Sequence, residues 1–328
     1  MKAVYIREFG DIENVEVRDV PEPPEPVGTQ VLVRVRAAGL NRADLLQARG
    51  MYPPPVGYSP NVPGLEFAGE VAVAGHETAD WDPGTRVFGI TAGEAQAEYL
   101  LTDASLLAKI PDDLSFVEAA CVPEAFITAH DAIFTLGGLG TRGRLLIHAV
   151  GSGVGLAGLQ LAKAKSAFVV GTSRTADKLE RCKEFGLDTG ITVWDAGAFS
   201  DEVLAATDGK GADVILDLVG GAYFGQSLAS LGTRGRLVLV GLTSGRKAEI
   251  DLGMALQKRA HIIGTVLRPR PVEQKAEATR KFVDEVLPLL ASGAVKPNLD
   301  RIFVVDDVVE SYKYLESNES FGKVVLEF

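Results

Sequence analysis

The residues best suited to chemistry lie at 148–155, His-Ala-Val-Gly-Ser-Gly-Val-Gly. An apolar run, Arg144-Leu145-Leu146-Ile147, precedes them and reads as a buried parallel strand. Apolar residues at helical spacing follow over 156–163. The glycines therefore occupy a tight strand-to-helix turn, where backbone N–H groups approach a pyrophosphate at a helix N-terminus. Ser152, Gly153 and Val154 are the candidate contacts. A glycine-rich turn can be only a turn, but the strand before it and the helix after it supply the context that dinucleotide binding requires.

The second strand, Phe168-Val169-Val170-Gly171-Thr172, carries the next chemical signal at its end. A chain that prefers NAD places an acid there to hold the ribose 2′-hydroxyl. This chain has Ser173, then Arg174, with Lys178 one helical turn on. A hydroxyl and two cations suit a 2′-phosphate, whose charge an acid would repel, so NADPH is the expected cofactor. The alternative is a solvated loop with incidental charges.

These residues need a scaffold, and 328 residues are enough for two domains with a sizeable core. An apolar content of 46% suits a water-soluble globular protein. A net charge of −11 argues against nucleic acid and anionic membranes as partners. Two cysteines, Cys121 and Cys182, make no disulfide framework, which suits a reducing compartment. The N-terminal residues lack a signal-peptide core, and no apolar run is long enough to span a membrane. The expected location is the cytoplasm. Four scattered histidines (His76, His130, His148, His261) and two cysteines offer no tetrahedral metal-site spacing. His148 reads as a buried strand-end residue bonded to backbone.

Residues 1 to about 120 read as short strands and turns. Residues 31–37 alternate as a half-buried strand, and the proline-rich 50–58 is a stiff loop. Glycines within 67–75 and 85–90 suit the bends of a small curved barrel. One or two helices are expected around Pro123, within 115–137. Strands at 144–149, 167–172, 190–193, 212–218, 235–241 and 260–266 then alternate with helices near 153–165, 176–186, 199–207 and 221–231. That alternation implies an α/β, doubly wound parallel sheet. The sequence Thr-Arg-Gly-Arg-Leu occurs at 141–145 and again at 233–237, one turn chemistry used twice. A helix near 273–291, a strand near 301–305, a helix near 307–317 and a strand at 322–327 are expected to return to the N-terminal domain.

The motifs together resemble the zinc-free medium-chain dehydrogenases/reductases of the NADPH:quinone oxidoreductase family, the ζ-crystallin-like group, over essentially the whole chain. Gly39-Leu40-Asn41-Arg42-Ala43-Asp44 is similar to that family's GLNxxD segment, and 50–55 to its GLYPPP loop. Residues 63–71 resemble its GxExxGxV strand. Residues 122–129 resemble the PEAxxTA form of the stress-inducible branch. The resemblance implies a Rossmann-type domain over 124–267. It implies a GroES-like, β-barrel-containing catalytic domain over 1–123, completed by 268–328. Asn41 and Leu65 stand where zinc-dependent members carry ligands, so no metal is expected. The resemblance places Asn41 and Tyr52 in the cleft beside the nicotinamide. It assigns Thr128, Val219, Gly241, Leu242, Thr243, Leu267, Arg268, Phe321 and Lys323 to the cofactor. Leu46 replaces a tyrosine of some members. Val193 beside Trp194 replaces a tyrosine that packs on the nucleotide. The implied reaction is hydride transfer from NADPH to a quinone. A second reading is reduction of an enone or enal double bond, which needs a proton donor that only Tyr52 offers in the cleft segments. A third is a non-enzymatic NADPH-binding protein, crystallin-like or RNA-binding. A homodimer through an apolar sheet edge (237–240) is expected.

Overall fold

A computed structural model describes residues 1–78, 80–194 and 197–328. The chain forms two compact units, Met1–Ile127 with Leu267–Phe328, and Thr128–Val266.

The first unit opens with a ribbon of β1 (Lys2–Ile6) and β2 (Val15–Asp19). Its main sheet uses β3 (Gln30–Gly39), β4 (Glu66–Ala74), β5 (Arg86–Ile90), β6 (Tyr99–Asp103) and β7 (Leu107–Lys109). Val31, Val33 and Val35 alternate inward along β3 and pack on Phe67, Val71, Val87 and Leu100, the period of two that one buried face demands. Glycines stand where a neighbouring backbone approaches closely. A Cβ on Gly69 would stand 2.2 Å from the Arg34 carbonyl oxygen, and one on Gly89 would stand 2.5 Å from that of Leu106. The short helices α1 (Arg42–Ala48) and α2 (Phe116–Ala119) follow β3 and β7. Helix α3 (Pro123–His130) starts at the proline and continues as a π-turn over Asp131–Leu136.

The second unit is a six-stranded parallel sheet in the order β10-β9-β8-β11-β12-β13. Its strands are β8 (Arg144–Ile147), β9 (Phe168–Ser173), β10 (Thr189–Thr192), β11 (Ala212–Asp217), β12 (Leu231–Leu239) and β13 (His261–Gly264). Helices α4 (Gly153–Ala164), α5 (Ala176–Cys182), α6 (Ser200–Ala206), α7 (Phe224–Ser230) and α8 (Leu252–Lys258) connect them. The order reverses between β8 and β11, which is the doubly wound topology. The repeated Thr-Arg-Gly-Arg-Leu turn holds Arg142 at φ 60° and Arg234 at φ 63°, the same left-handed bend twice. In the second copy the strand takes in the turn, so β12 begins at Leu231 rather than 235. β12 is paired on both sides, with β11 and β13, so the sheet edge on that side is β13 and not the apolar 237–240.

Leu267 returns the chain to the first unit. The helical stretch expected at 273–291 is two helices, α9 (Val272–Glu285) and α10 (Leu287–Ala291). Pro288 in the first turn of α10 has no N–H to continue α9. Then β14 (Leu299–Val304), α11 (Val308–Ser317) and β15 (Lys323–Glu327) follow, and β15 pairs antiparallel with β3.

Candidate active site

In the second unit the glycine turn is built as its composition dictates. Ala149 takes φ 51°. The Ser152 hydroxyl caps α4 by accepting the Gly155 N–H at 3.1 Å. A Cβ on Gly155 would stand 2.6 Å from the carbonyl oxygens of both Ala149 and Val150, so only glycine fits. The cap leaves the Gly153 and Val154 N–H groups at the helix N-terminus, where a pyrophosphate is favoured. Ser173 closes β9, and its hydroxyl accepts the Thr175 N–H at 3.2 Å. Arg174 is exposed and Lys178 is half-buried on α5. Val193 is buried in the core, whereas Trp194 beside it is 66% exposed. The turn and the cap of this unit fit the pyrophosphate of a dinucleotide.

His148 is fully buried, bonded at 2.9 Å to Thr172 Oγ1 through Nδ1 and at 2.9 Å to Ser227 Oγ through Nε2. Its partners are hydroxyls, not the backbone expected from sequence. The rings of Phe199 and Tyr223 each lie 5.1 Å from it, and burial pushes its pKa down to about 4. Asp217, which sequence reasoning missed, ends β11, and its Oδ1 accepts the Val219 and Gly220 N–H groups at 2.8 Å each. A Cβ on Gly241 would stand 2.4 Å from the Leu218 carbonyl oxygen, so the turns after β11 and β12 nest. Leu242 and Thr243 are exposed there. The Thr128 hydroxyl oxygen is buried with no hydrogen-bond partner among the described residues.

The first unit holds a buried charge cluster. Glu66 Oε1 accepts Asn41 Nδ2 at 2.9 Å and Lys323 Nζ at 2.5 Å. Lys323 Nζ also donates to the Leu40 carbonyl at 2.6 Å and to Asn41 Oδ1 at 2.8 Å. Glu66 Oε2 accepts the Glu124 N–H at 2.9 Å. Asp44 caps the segment, accepting the N–H groups of Asn41 and Gly64, and burial pushes its pKa up to about 6. Burial, and then the Glu66 charge, push Glu124 up to about 8. Arg268 donates to the carbonyls of Ala92 at 2.7 Å and Tyr52 at 2.9 Å, and to Gln47 Oε1. Its guanidinium also lies 5.1 Å from the half-buried Tyr52 ring.

Arg268 and Lys323 are each 4% exposed, and their charged tips bind groups within the first unit. Leu267 and Phe321 are buried as well. Leu65 is buried, and both ends of the Asn41 amide are engaged. Among the described residues no group of three or more His, Cys, Asp or Glu side chains could hold a metal ion. The cluster members Glu66 and Glu124 were missed; the signal was an acid set in apolar runs, Gly-Leu-Glu-Phe-Ala and Val-Pro-Glu-Ala-Phe.

Residues 28–128 match the alcohol dehydrogenase GroES-like domain family, and residues 153–285 match the zinc-binding dehydrogenase family. The quinone oxidoreductase-like protein 2 homolog of Nematostella vectensis is 32% identical over 306 residues, 92% of this chain and 83% of that protein. The chain belongs to the quinone oxidoreductase-like medium-chain dehydrogenases/reductases. Two solved structures resemble this quinone oxidoreductase-like chain closely. Mycobacterial Rv1454c complexed with NADPH gives a TM-score of 0.89 at 27% identity, covering 100% of both chains. CurK enoyl reductase gives 0.87 at 25% identity, covering 99% of this chain and 98% of that one. The two units are thus a GroES-like and a Rossmann-type domain, and the quinone oxidoreductase-like chain is an oxidoreductase of the nicotinamide-dependent kind.

Proposed function

We propose that this oxidoreductase uses NADPH to reduce a quinone, without a metal. The observation that carries the cofactor reading is the end of β9. Ser173 and the exposed Arg174 stand where an acid would select NAD, with Lys178 on the next turn. NADPH, when bound, supplies hydride. Ser152, Gly153, Val154 and the orphan Thr128 hydroxyl are the groups we assign to holding it, with Val219, Gly241, Leu242 and Thr243 presenting backbone. The quinone reading draws on the relative named for quinone oxidoreduction. Tyr52 gives the acceptor a half-buried aromatic surface. The metal-free reading draws on the donor set, since Leu65 has no donor atom and both ends of the Asn41 amide are taken up by Glu66 and Lys323.

A second acceptor class is favoured by Glu124. Reduction of a conjugated double bond needs a proton for carbon, and Glu124 is an acid that keeps its proton near neutral pH. The likeness to an enoyl reductase supports the same reading. A homodimer through the sheet edge would pair β13, where Ile262 is 41% exposed, with the β13 of a second copy. The cytoplasm suits two buried, free cysteines. The test is NADPH oxidation followed against a panel of quinones and enones, with light scattering for the dimer. Turnover with a quinone supports the quinone reading, turnover with enones alone supports the second acceptor class instead, and none with any acceptor removes both.

A further inference from the structure

We infer that Lys323 and Glu66 are positioning residues that lock the Asn41 side-chain amide, so that the first unit offers a ligand one hydrogen-bond acceptor there and no donor, and binds the phenolic hydroxyl of a reduced quinone. The choice of ligand rests on the quinone reading above.

An ammonium has three hydrogens to give. Lys323 Nζ has three oxygen partners for them, the Leu40 carbonyl at 2.6 Å, Asn41 Oδ1 at 2.8 Å and Glu66 Oε1 at 2.5 Å. An amide nitrogen has two. Asn41 Nδ2 donates to Glu66 Oε1 at 2.9 Å and to the Gly39 carbonyl at 3.3 Å. Glu66 is fully buried, and its other oxygen holds the Glu124 N–H. The charged partners also decide which end of the amide is which. A flipped amide would set Nδ2 against the ammonium and Oδ1 against the carboxylate, two repulsions in place of two charge-assisted bonds. The nearby backbone is satisfied without the side chain: the Asn41 N–H goes to Asp44 Oδ2 at 2.7 Å, and the Asp44 N–H to the Asn41 carbonyl at 2.9 Å.

An amide oxygen can accept two bonds, and Asn41 Oδ1 accepts one among the described residues. Lys323 is 4% exposed and Glu66 0%, whereas Asn41 is partly exposed. Of the three, the group within reach of a ligand is therefore the second acceptor place of Oδ1. The ammonium 2.8 Å from Oδ1 repels a metal ion from that place, and a neutral hydroxyl meets no such cost. A quinone presents carbonyl oxygens, which are acceptors themselves, so it gains no hydrogen bond here. Hydride and a proton convert it to a hydroquinone, whose O–H can donate to Oδ1. Asn41 then tells product from substrate by the donor that reduction creates, since an acceptor set against an acceptor leaves both unpaired.

The experiment titrates the full chain, by calorimetry, with 1,4-hydroquinone and with its dimethyl ether, which keeps the ring and lacks both O–H groups. The readout is the ratio of the ether's Kd to the hydroquinone's. In wild type this ratio should exceed that of N41L by roughly 3- to 10-fold, the range of one net hydrogen bond. K323M/E66Q keeps Asn41 but frees its amide to turn, so its ratio should fall to within about twofold of the N41L value. A merely structural role for the pair would weaken both ligands together and leave the ratio unchanged. Each variant is an independent comparison with wild type, so either one that folds decides. Equal ratios in wild type and in a folded variant would overturn the inference. Equal ratios alongside NADPH-dependent quinone turnover would leave the quinone reading standing, whereas no turnover with any quinone would remove that reading and the assigned ligand with it.

Discussion

Lys323 Nζ lies 2.5 Å from Glu66 Oε1, with 5% and 0% of the two side chains exposed. The pair joins β15 to β4 across nearly the whole chain length and also orients the Asn41 amide. Removing one partner leaves a buried charge alone, whereas removing both does not. Lys323→Met should therefore destabilise the first unit by about 3–5 kcal/mol. Adding Glu66→Gln to it should recover a large part of that loss. Urea unfolding of the two variants checks this; a loss under about 1 kcal/mol for the single variant would contradict it.

His148 predicts an acid sensitivity of the second unit. Its ordinary value is 6.5 and its folded value about 4, so the folded state holds the neutral ring. That contribution is complete above pH 6.5 and is lost as pH falls from 6.5 through 4, by roughly 3 kcal/mol in all. His148→Asn should be less stable at pH 7, and its midpoint should fall less steeply over that window than the wild type's. Parallel curves for the two proteins would contradict the assignment.

Much of the second unit was legible because its signals are local. Strand, glycine turn and helix follow one another within about twenty residues, and each expected strand there is found. The charge cluster of the first unit was not legible, because its members are set by sequence separations such as the 282 residues between Lys323 and Asn41. The motif assigns Lys323 to the cofactor, and its partners Glu66 and Asn41 come into view only once β15 is paired with β3. Asp217 was hidden differently: an acid before Leu-Val-Gly-Gly looks like a strand end, and its role appears only when two N–H groups turn back to it.

Tyr52 tests the acceptor surface. Its ring sits against the Arg268 guanidinium, 5.1 Å from it, while Arg268 itself is held by the Tyr52 carbonyl. Tyr52→Ala removes the ring and keeps that backbone bond. KM or kcat for quinones should change severalfold, with the melting temperature shifting little. Unchanged KM and kcat would remove Tyr52 from the site.

Arg174 tests the phosphate contact. It is exposed, so its effect is partly screened. Arg174→Ala should raise KM for NADPH by about tenfold and leave KM for NADH nearly unchanged. The wild-type preference should weaken with added salt. An equal rise in both KM values would show that Arg174 does not read the 2′-phosphate.

The most direct test of the account is the ratio of kcat/KM for NADPH to that for NADH, measured on the unmodified enzyme with one quinone acceptor at low ionic strength. Ser173, Arg174 and Lys178 together predict a ratio of roughly 10 to 1000. A ratio near one, or oxidation of neither cofactor, would contradict it.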